Sequence, residues 1–411
     1  MFSPQHMARM LRNRPGVLYV ILRRLGQYRL HRPAMNNNGL YGQDQELLEI
    51  DPGPERVIEA GIAWLCRAQD GSASRDGGVA HNFSPFHGWA ESYPETTGYI
   101  VTTLLSWARI KKDQELRRRA KHMLDWLASI QLTGGGFQGG IISAKPIVPV
   151  TFNTGQILMG LASGVEEFGD EYRPALYRAA DWLVQTQDVD GCWRRFPTPF
   201  AEPGEKTYDA HVAWSLVEAD AIDPARGYAD AAVANVRWAL RHQRSNGWFA
   251  KCCLDDPGRP LTHTLGYALR GVFEVYRYTH IASFLTAAER CADGLMTAVR
   301  HDGFLAGRLD SAWKPAASWV CLTGSAQIAS CFLLLYRETG KFTYLQVARK
   351  INAFVRRTVR LDAFEGVRGG VQGSFPLWGE YATDQYPNWA CKFMVDANLL
   401  ELNLVQKSRA A

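Results

Sequence analysis

The chain has 411 residues, 46% hydrophobic and 21% charged, an ordinary globular composition with ample apolar content for a large core. Its net charge of +5 is local: residues 1–33 carry seven arginines (Arg9, Arg12, Arg14, Arg23, Arg24, Arg29, Arg32) and no Asp or Glu, so the remainder sums to −2. That distribution excludes a general basic surface for nucleic acid.

The first element is the arginine-rich arm. Its apolar run, residues 16–22, is too short to span a bilayer, is followed by Arg23-Arg24, and has no cleavage-site pattern. The expectation is a cytoplasmic protein. The arm has three assignments: an extension packed on the body, a peripheral contact of residues 1–33 with anionic lipid or a membrane partner, or a mitochondrial targeting peptide. Asn36-Asn37-Asn38-Gly39 reads as a linker. Residues 1–52 are therefore assigned to extension and linker, and residues 53–405 to one catalytic domain. Eight cysteines (66, 192, 252, 253, 291, 321, 331 and 391) form no Cys-x-x-Cys pair. They read as buried thiols, with no metal and no cofactor expected.

From residue 53 onward the chain repeats. A Trp followed five places later by Gln occurs as Trp64/Gln69, Trp126/Gln131, Trp182/Gln187 and Trp238/Gln243, with Met296/His301 in the next place. The spacing is 62, 56, 56 and 58 residues. After each pair comes Gly, usually beside an aromatic: Gly78, Gly136, Gly191, Gly247, Gly303 and, more weakly, Gly370. The segment before each Gly is an amphipathic helix of period 3.6, and Gly ends it by taking the left-handed cap conformation. A second helix starts 16 or 17 residues after each Gly, at Glu95, Asn153, Tyr208, His263, Val320 and Pro387. These second helices are apolar on most sides, as buried helices are. Six hairpins of outer helix, long loop and inner helix close into an all-α double ring of about twelve helices. An open array would need polar capping repeats, and the last inner helix is as apolar as the others. No segment shows sustained strand alternation.

The Trp-Leu-x-x-x-Gln-x-x-x-Gly-x-Trp pattern at 182–193 resembles the QW motif of terpenoid cyclases and prenyltransferase subunits, and the whole of 53–405 resembles the (α/α)6 toroids. Polysaccharide lyases and six-hairpin glycosidases resemble it too. Missing parts separate the branches. There is no Asp-x-Asp-Asp acid as in triterpene cyclases; Leu254-Asp255-Asp256-Pro257 reads as a turn. No Asp/Cys/His zinc spacing is present, and no Cys-His pair follows Cys321 as in lanthionine cyclases. The resemblance then implies the carbohydrate-active branch. The basic N-terminus resembles toroid proteins encoded with bacterial exopolysaccharide machinery.

In that geometry the loops and inner-helix starts surround the cavity. Aromatics beside Asn, Gln and charges suit a sugar, whose faces stack on rings while its hydroxyls seek planar partners. Substrate contacts are assigned to Tyr93, Gln156, Trp193, Arg194, Trp248, Arg308, Tyr386 and Lys392. Aromatics beside each Gly also serve simply as caps over the hairpin. Catalytic assignments fall on Glu95, Asn153, Tyr208, Asp209, His211 and His263. The leading expectation is a lyase acting on a uronic-acid-containing polysaccharide or oligosaccharide. Asn153, His211, His263 or Arg194 would neutralise the carboxylate while Tyr208 or a His removes the adjacent proton. A six-hairpin hydrolase would pair Glu95 with Asp209. An epimerase would use His211 and His263 on opposite faces of the sugar. A non-catalytic glycan-binding or assembly protein is the alternative from a different class.

Overall fold

The computed structural model describes residues 46–410, apart from Phe200 and Pro203. The arginine-rich arm and the 36–39 linker lie outside the described residues. A compact unit begins at Leu47, ahead of the boundary expected at 53. Among the described residues no helix is long and apolar enough to cross a membrane.

The outer helices are α1 (Pro54–Asp70), α3 (Gln114–Ser129), α5 (Arg173–Thr186), α7 (Tyr228–Leu240), α9 (Ala282–Thr297) and α11 (Phe342–Arg356). The inner ones are α2 (Pro94–Lys111), α4 (Thr151–Phe168), α6 (Ala210–Ile222), α8 (Thr262–Thr279), α10 (Leu322–Thr339) and α12 (Asn388–Ala410). Each inner helix packs on the next inner helix and on the outer helix that follows it; α12 returns to α2 and α1, which closes the ring. Inner helices such as α4 bury nearly every residue of their first three turns, whereas outer helices bury one face.

The repeated Gln and Gly hold neighbouring outer helices together. Gln187 Nε2 donates to Gly191 O in its own turn at 3.1 Å and to Ala231 O of α7 at 3.0 Å. Gln131 does the same to Gly135 and Ala175, and Gln243 to Gly247 and Ala287. Gly191 has φ +92°, and a Cβ there would stand 2.4 Å from Ala234 O. The sixth turn repeats this against the first outer helix: Gly369 has φ +84° and a Cβ there would stand 2.2 Å from Ala60 O of α1. Only glycine permits both that dihedral and that approach. The repeated Trp packs on the preceding turn, Trp182 on Gly136 and Trp64 on Gly370. Trp64 also donates to Gly366 O at 2.8 Å, a second tie between repeats six and one. Buried Arg356 of α11 completes the closure. It pairs with Asp51 ahead of α1 and with Glu401 and Asn398 of α12.

The long loops from outer to inner helices gather at one end of the ring. They also hold five short strands: β1 (Asn82–Ser84), β2 (Gly88–Trp89), β3 (Val320–Cys321), β4 (Ser374–Phe375) and β5 (Tyr386–Pro387). Strand β1 pairs antiparallel with β2 and with β5, so this small sheet joins repeat one to repeat six. Two or three residues are too few to show a period in sequence.

Gln187→Ala should lower unfolding free energy by about 1–3 kcal/mol, because two half-buried carbonyls lose their donor. Gly191→Ala should cost more, since it adds left-handed strain to a backbone clash. Urea unfolding monitored by circular dichroism checks both; unchanged midpoints would show that the clamp does not carry the ring.

Candidate active site at the loop end

A cavity of about 350 Å³ opens among the loops, near the small end of the range for ligand pockets. Helix starts supply most of its wall: Tyr93 and Glu95 at α2, Phe152 at α4, His263 and Tyr267 at α8, and Trp389 at α12. Tyr208, in a 3₁₀ turn just before α6, and the loop residues His81 and Tyr381 complete it. Helix α10 contributes from behind through Gln327. The wall thus draws on the starts of four inner helices and the turn before a fifth, while the remaining one, α10, reaches it only by way of His263.

Glu95 is the carboxylate of this wall. It is buried and accepts a 2.9 Å hydrogen bond from the Tyr93 hydroxyl. Burial raises its pKa to about 7 from an ordinary 4.5, against the opposing pull of the Tyr93 hydrogen bond. Near neutral pH it therefore exists in both protonation states. Tyr93 itself is pushed up by burial and by the Glu95 charge, while Asn153 donates toward its oxygen.

Two imidazoles face the cavity, both held neutral because burial lowers their pKa to about 4. His263 Nδ1 lies 2.8 Å from Gln327 Oε1, so this nitrogen carries the proton and Nε2 keeps the lone pair. His81 Nδ1 lies 2.6 Å from the Asn82 amide nitrogen, which leaves its proton on Nε2. One imidazole is thus poised to accept a proton and the other to donate a hydrogen bond. Aromatic edges fix both rings: His263 has Tyr267 at 4.5 Å and Tyr381 at 5.4 Å, and His81 has Tyr93 at 4.8 Å and Trp389 at 4.7 Å. Trp389 Nε1 in turn donates to the Tyr381 hydroxyl at 2.8 Å.

The other residues expected from sequence lie elsewhere. His211 sits behind the wall, 4.4 Å from the Tyr267 ring and 5.1 Å from Trp214, with no partner on Nδ1 among the described residues. Asp209 is buried beside Tyr208 but does not line the cavity; burial raises its pKa to about 8, with Lys206 opposing. Asn153 and Gln156 are fully buried in α4, and neither lines the cavity. Trp193 donates its indole N–H to Leu183 O at 2.9 Å, and Trp248 packs edge-on to Trp313 at 5.1 Å; both cap hairpins. Arg194 is outside, clamped by Asp188, Asp190 and Glu205. Arg308 forks onto Asp255 at 3.0 and 2.6 Å. The neighbouring Asp256 caps a turn by accepting from Gly258 and Arg259. Tyr386 is buried in β5, and Lys392 points to the far end of the channel. The lining residues without an assigned role from sequence are His81, Tyr99, Phe152, Thr198, Tyr267, Tyr381 and Trp389, with Gly140, Ile141, Leu254 and Thr264. Tyr267 had a usable signal, standing one helical turn after His263.

Among the described residues no group of three His, Cys, Asp or Glu side chains is arranged to hold a metal ion. No protein-family profile and no curated protein sequence matches the chain. Solved structures do match in fold. An unsaturated glucuronyl hydrolase specific for heparin is 16% identical with a TM-score of 0.70, covering 86% of this chain and 98% of its own. D-Mannose isomerase is 11% identical with a TM-score of 0.68, covering 85% and 97%. Cellobiose 2-epimerase from Bacillus thermoamylovorans B4167 is 10% identical with a TM-score of 0.66, again covering 85% and 97%. At these identities the likeness establishes the fold: the chain is an (α/α)6 toroid of six helical hairpins.

The two raised carboxyls make stability pH-dependent. Glu95 and Asp209 bind their protons more tightly folded than unfolded. Their contribution is complete below the ordinary carboxylate range and is lost as pH rises through about 7 and about 8. Unfolded histidines, half protonated at about pH 6.5, are largely neutral only above about pH 7.5, so the carboxyls dominate from there. Unfolding free energy should fall from about pH 7.5 to 8.5, and Asp209→Asn should flatten that fall. A flat wild-type profile would contradict the burial of both groups.

Proposed function

We propose that the protein is a carbohydrate-active enzyme of epimerase or isomerase type, moving a proton on a small saccharide or the end of a chain. The observation that carries this reading is one aromatic cavity holding Glu95, poised near neutrality, with His263, whose unprotonated Nε2 serves as base. The base takes a proton from the carbon beside the sugar carbonyl, and the carbonyl oxygen gains one from protonated Glu95, giving an enediol. Return of a proton to the other face or the other carbon gives the epimer or isomer. Tyr93 holds the Glu95 carboxylate, and Gln327 fixes the His263 tautomer. The aromatic wall takes the apolar faces of the sugar and excludes water. The solved structures of similar fold include a cellobiose epimerase and a mannose isomerase, which is consistent with this chemistry.

Cleavage of a uronate polymer by elimination has less support. It needs a cation against the substrate carboxylate, and no Lys or Arg is among the cavity's lining residues. The tyrosine route to that elimination is disfavoured as well, because burial together with the Asp209 charge pushes the Tyr208 phenol well above its ordinary value. Hydrolysis by two carboxylates needs a second one in the wall, whereas Asp209 stands behind Tyr208.

Incubation with mannose, cellobiose and an unsaturated glucuronyl disaccharide in deuterated water tests the proposal. Proton NMR should show deuterium entering a sugar carbon together with a new epimer or isomer. Glu95→Gln and His263→Gln should each lower kcat by about 10²–10⁴-fold with the fold intact, whereas Tyr208→Phe should act mainly on KM. New reducing ends without carbon-bound deuterium would establish a hydrolase instead. Ultraviolet absorbance growing on uronate polymers would establish a lyase.

A further inference from the structure

At the opposite end of the channel lies a second cavity, of about 310 Å³, with the reverse chemistry. The loop-end cavity is aromatic and free of Lys and Arg, whereas this one is lined by Arg270, Lys392, Glu218 and Asp396. A floor of side chains separates the two. The Lys392 ammonium lies 4.9 Å from the Tyr99 ring and 4.4 Å from Phe393, and Tyr99 lines the upper cavity.

The charges of the lower cavity are only partly satisfied. Arg270 gives Nε to Glu274 at 2.6 Å and lies flat on Trp214, 4.4 Å from the ring centre. Neither of its Nη groups has a hydrogen-bond partner among the described residues. Glu218 accepts the Trp214 indole N–H on Oε1 at 2.6 Å, and its Oε2 is likewise unpartnered among the described residues. Burial, with Glu274 and Glu166 nearby, raises the Glu218 pKa. Lys392 holds Asp396 at 2.6 Å, and Asp396 also accepts from Thr103 at 2.7 Å. These polar atoms remain reachable from the cavity and are free to meet a partner from outside the chain.

The arrangement selects a ligand class. A planar guanidinium fork with both Nη groups open matches a carboxylate bidentately. Arg270 and Lys392 face Asp396 and Glu218, and burial holds Glu218 toward its neutral form, so the wall carries one uncompensated positive charge, which a singly charged anion matches. Carboxylates in the lining accept hydrogen bonds from hydroxyls, which a simple fatty or aryl acid lacks. We propose that this cavity binds a sugar acid, with its carboxylate on the Arg270 Nη fork and its hydroxyls on Glu218 and Asp396. The site is independent of the chemistry proposed for the upper cavity.

D-Glucuronate is the probe and D-glucose the uncharged control, followed by calorimetry and by crystals soaked in each. Glucuronate should appear in the lower cavity and bind there more tightly than glucose. Arg270→Lys keeps the charge opposite Glu274 but loses the fork, and should weaken that site about tenfold or more. Ser163→Leu, which fills the same cavity away from the ion pairs, should abolish binding there. Melting curves check that both variants are folded. Unchanged glucuronate affinity in either folded variant would overturn the proposal. So would equal binding of glucose, or glucuronate found in the upper cavity alone.

Discussion

The structure depends on a close approach of backbone to backbone between successive outer helices. Each hairpin turn must touch the next outer helix without a side chain between them, and glycine in a left-handed conformation makes that contact. In the first four repeats a Gln reaching from the helix end to its own turn and to the neighbour then locks the spacing. Repeated around the unit, the contact rotates each hairpin by a fixed step. The sixth turn meets Ala60 of the first outer helix, so the array ends where it began. Closure removes the exposed end faces that an open array would have to cover.

The chemistry at the loop end follows from that closure. Inner helices with apolar flanks converge, and the first turns of four of them become a desolvated wall. Any titratable group placed there is pushed toward its neutral form. Glu95 rises, His81 and His263 fall, and the phenols become donors that do not ionise. Charged side chains on the rim find partners in their own loops, as Arg194 does with Asp190 and Arg308 with Asp255. The ring therefore holds neutral titratable groups in the cavity at one end and paired charges in the cavity at the other.

The ring was legible in sequence because its contacts recur at fixed spacing. Gln187 and Gly191 lie four residues apart, as do Gln131 and Gly135, and Gln243 and Gly247. The candidate site was legible where it lies on helix starts, since an interval of 16 or 17 residues from the repeated Gly reaches the cavity-lining Glu95 and His263. It was less legible in the loops. His81 and Tyr381 reach the cavity through irregular backbone that has no period to read. Arg194 drew attention as a cation near a repeated turn, although Asp188 and Asp190 in the same turn already hold it. Trp193 and Trp248 follow the glycines as sugar platforms would, but in the structure they pack under the hairpins. The lower cavity lies deeper along the inner helices. There Trp214, Glu218 and Arg270 come from separate repeats and meet only because the ring closes.

Ring closure desolvates an acid and a base in one wall, leaving Glu95 titrating near neutrality beside a neutral His263. Nuclear magnetic resonance of protein labelled with carbon-13 at glutamate carboxyls and nitrogen-15 at histidine rings reads both directly. The account predicts a carboxyl resonance with a midpoint near pH 7 that disappears in Glu95→Gln. It also predicts a His263 ring protonated at Nδ1 alone down to about pH 5. A Glu95 midpoint near its ordinary 4.5, or a His263 midpoint near 6.5, would contradict it.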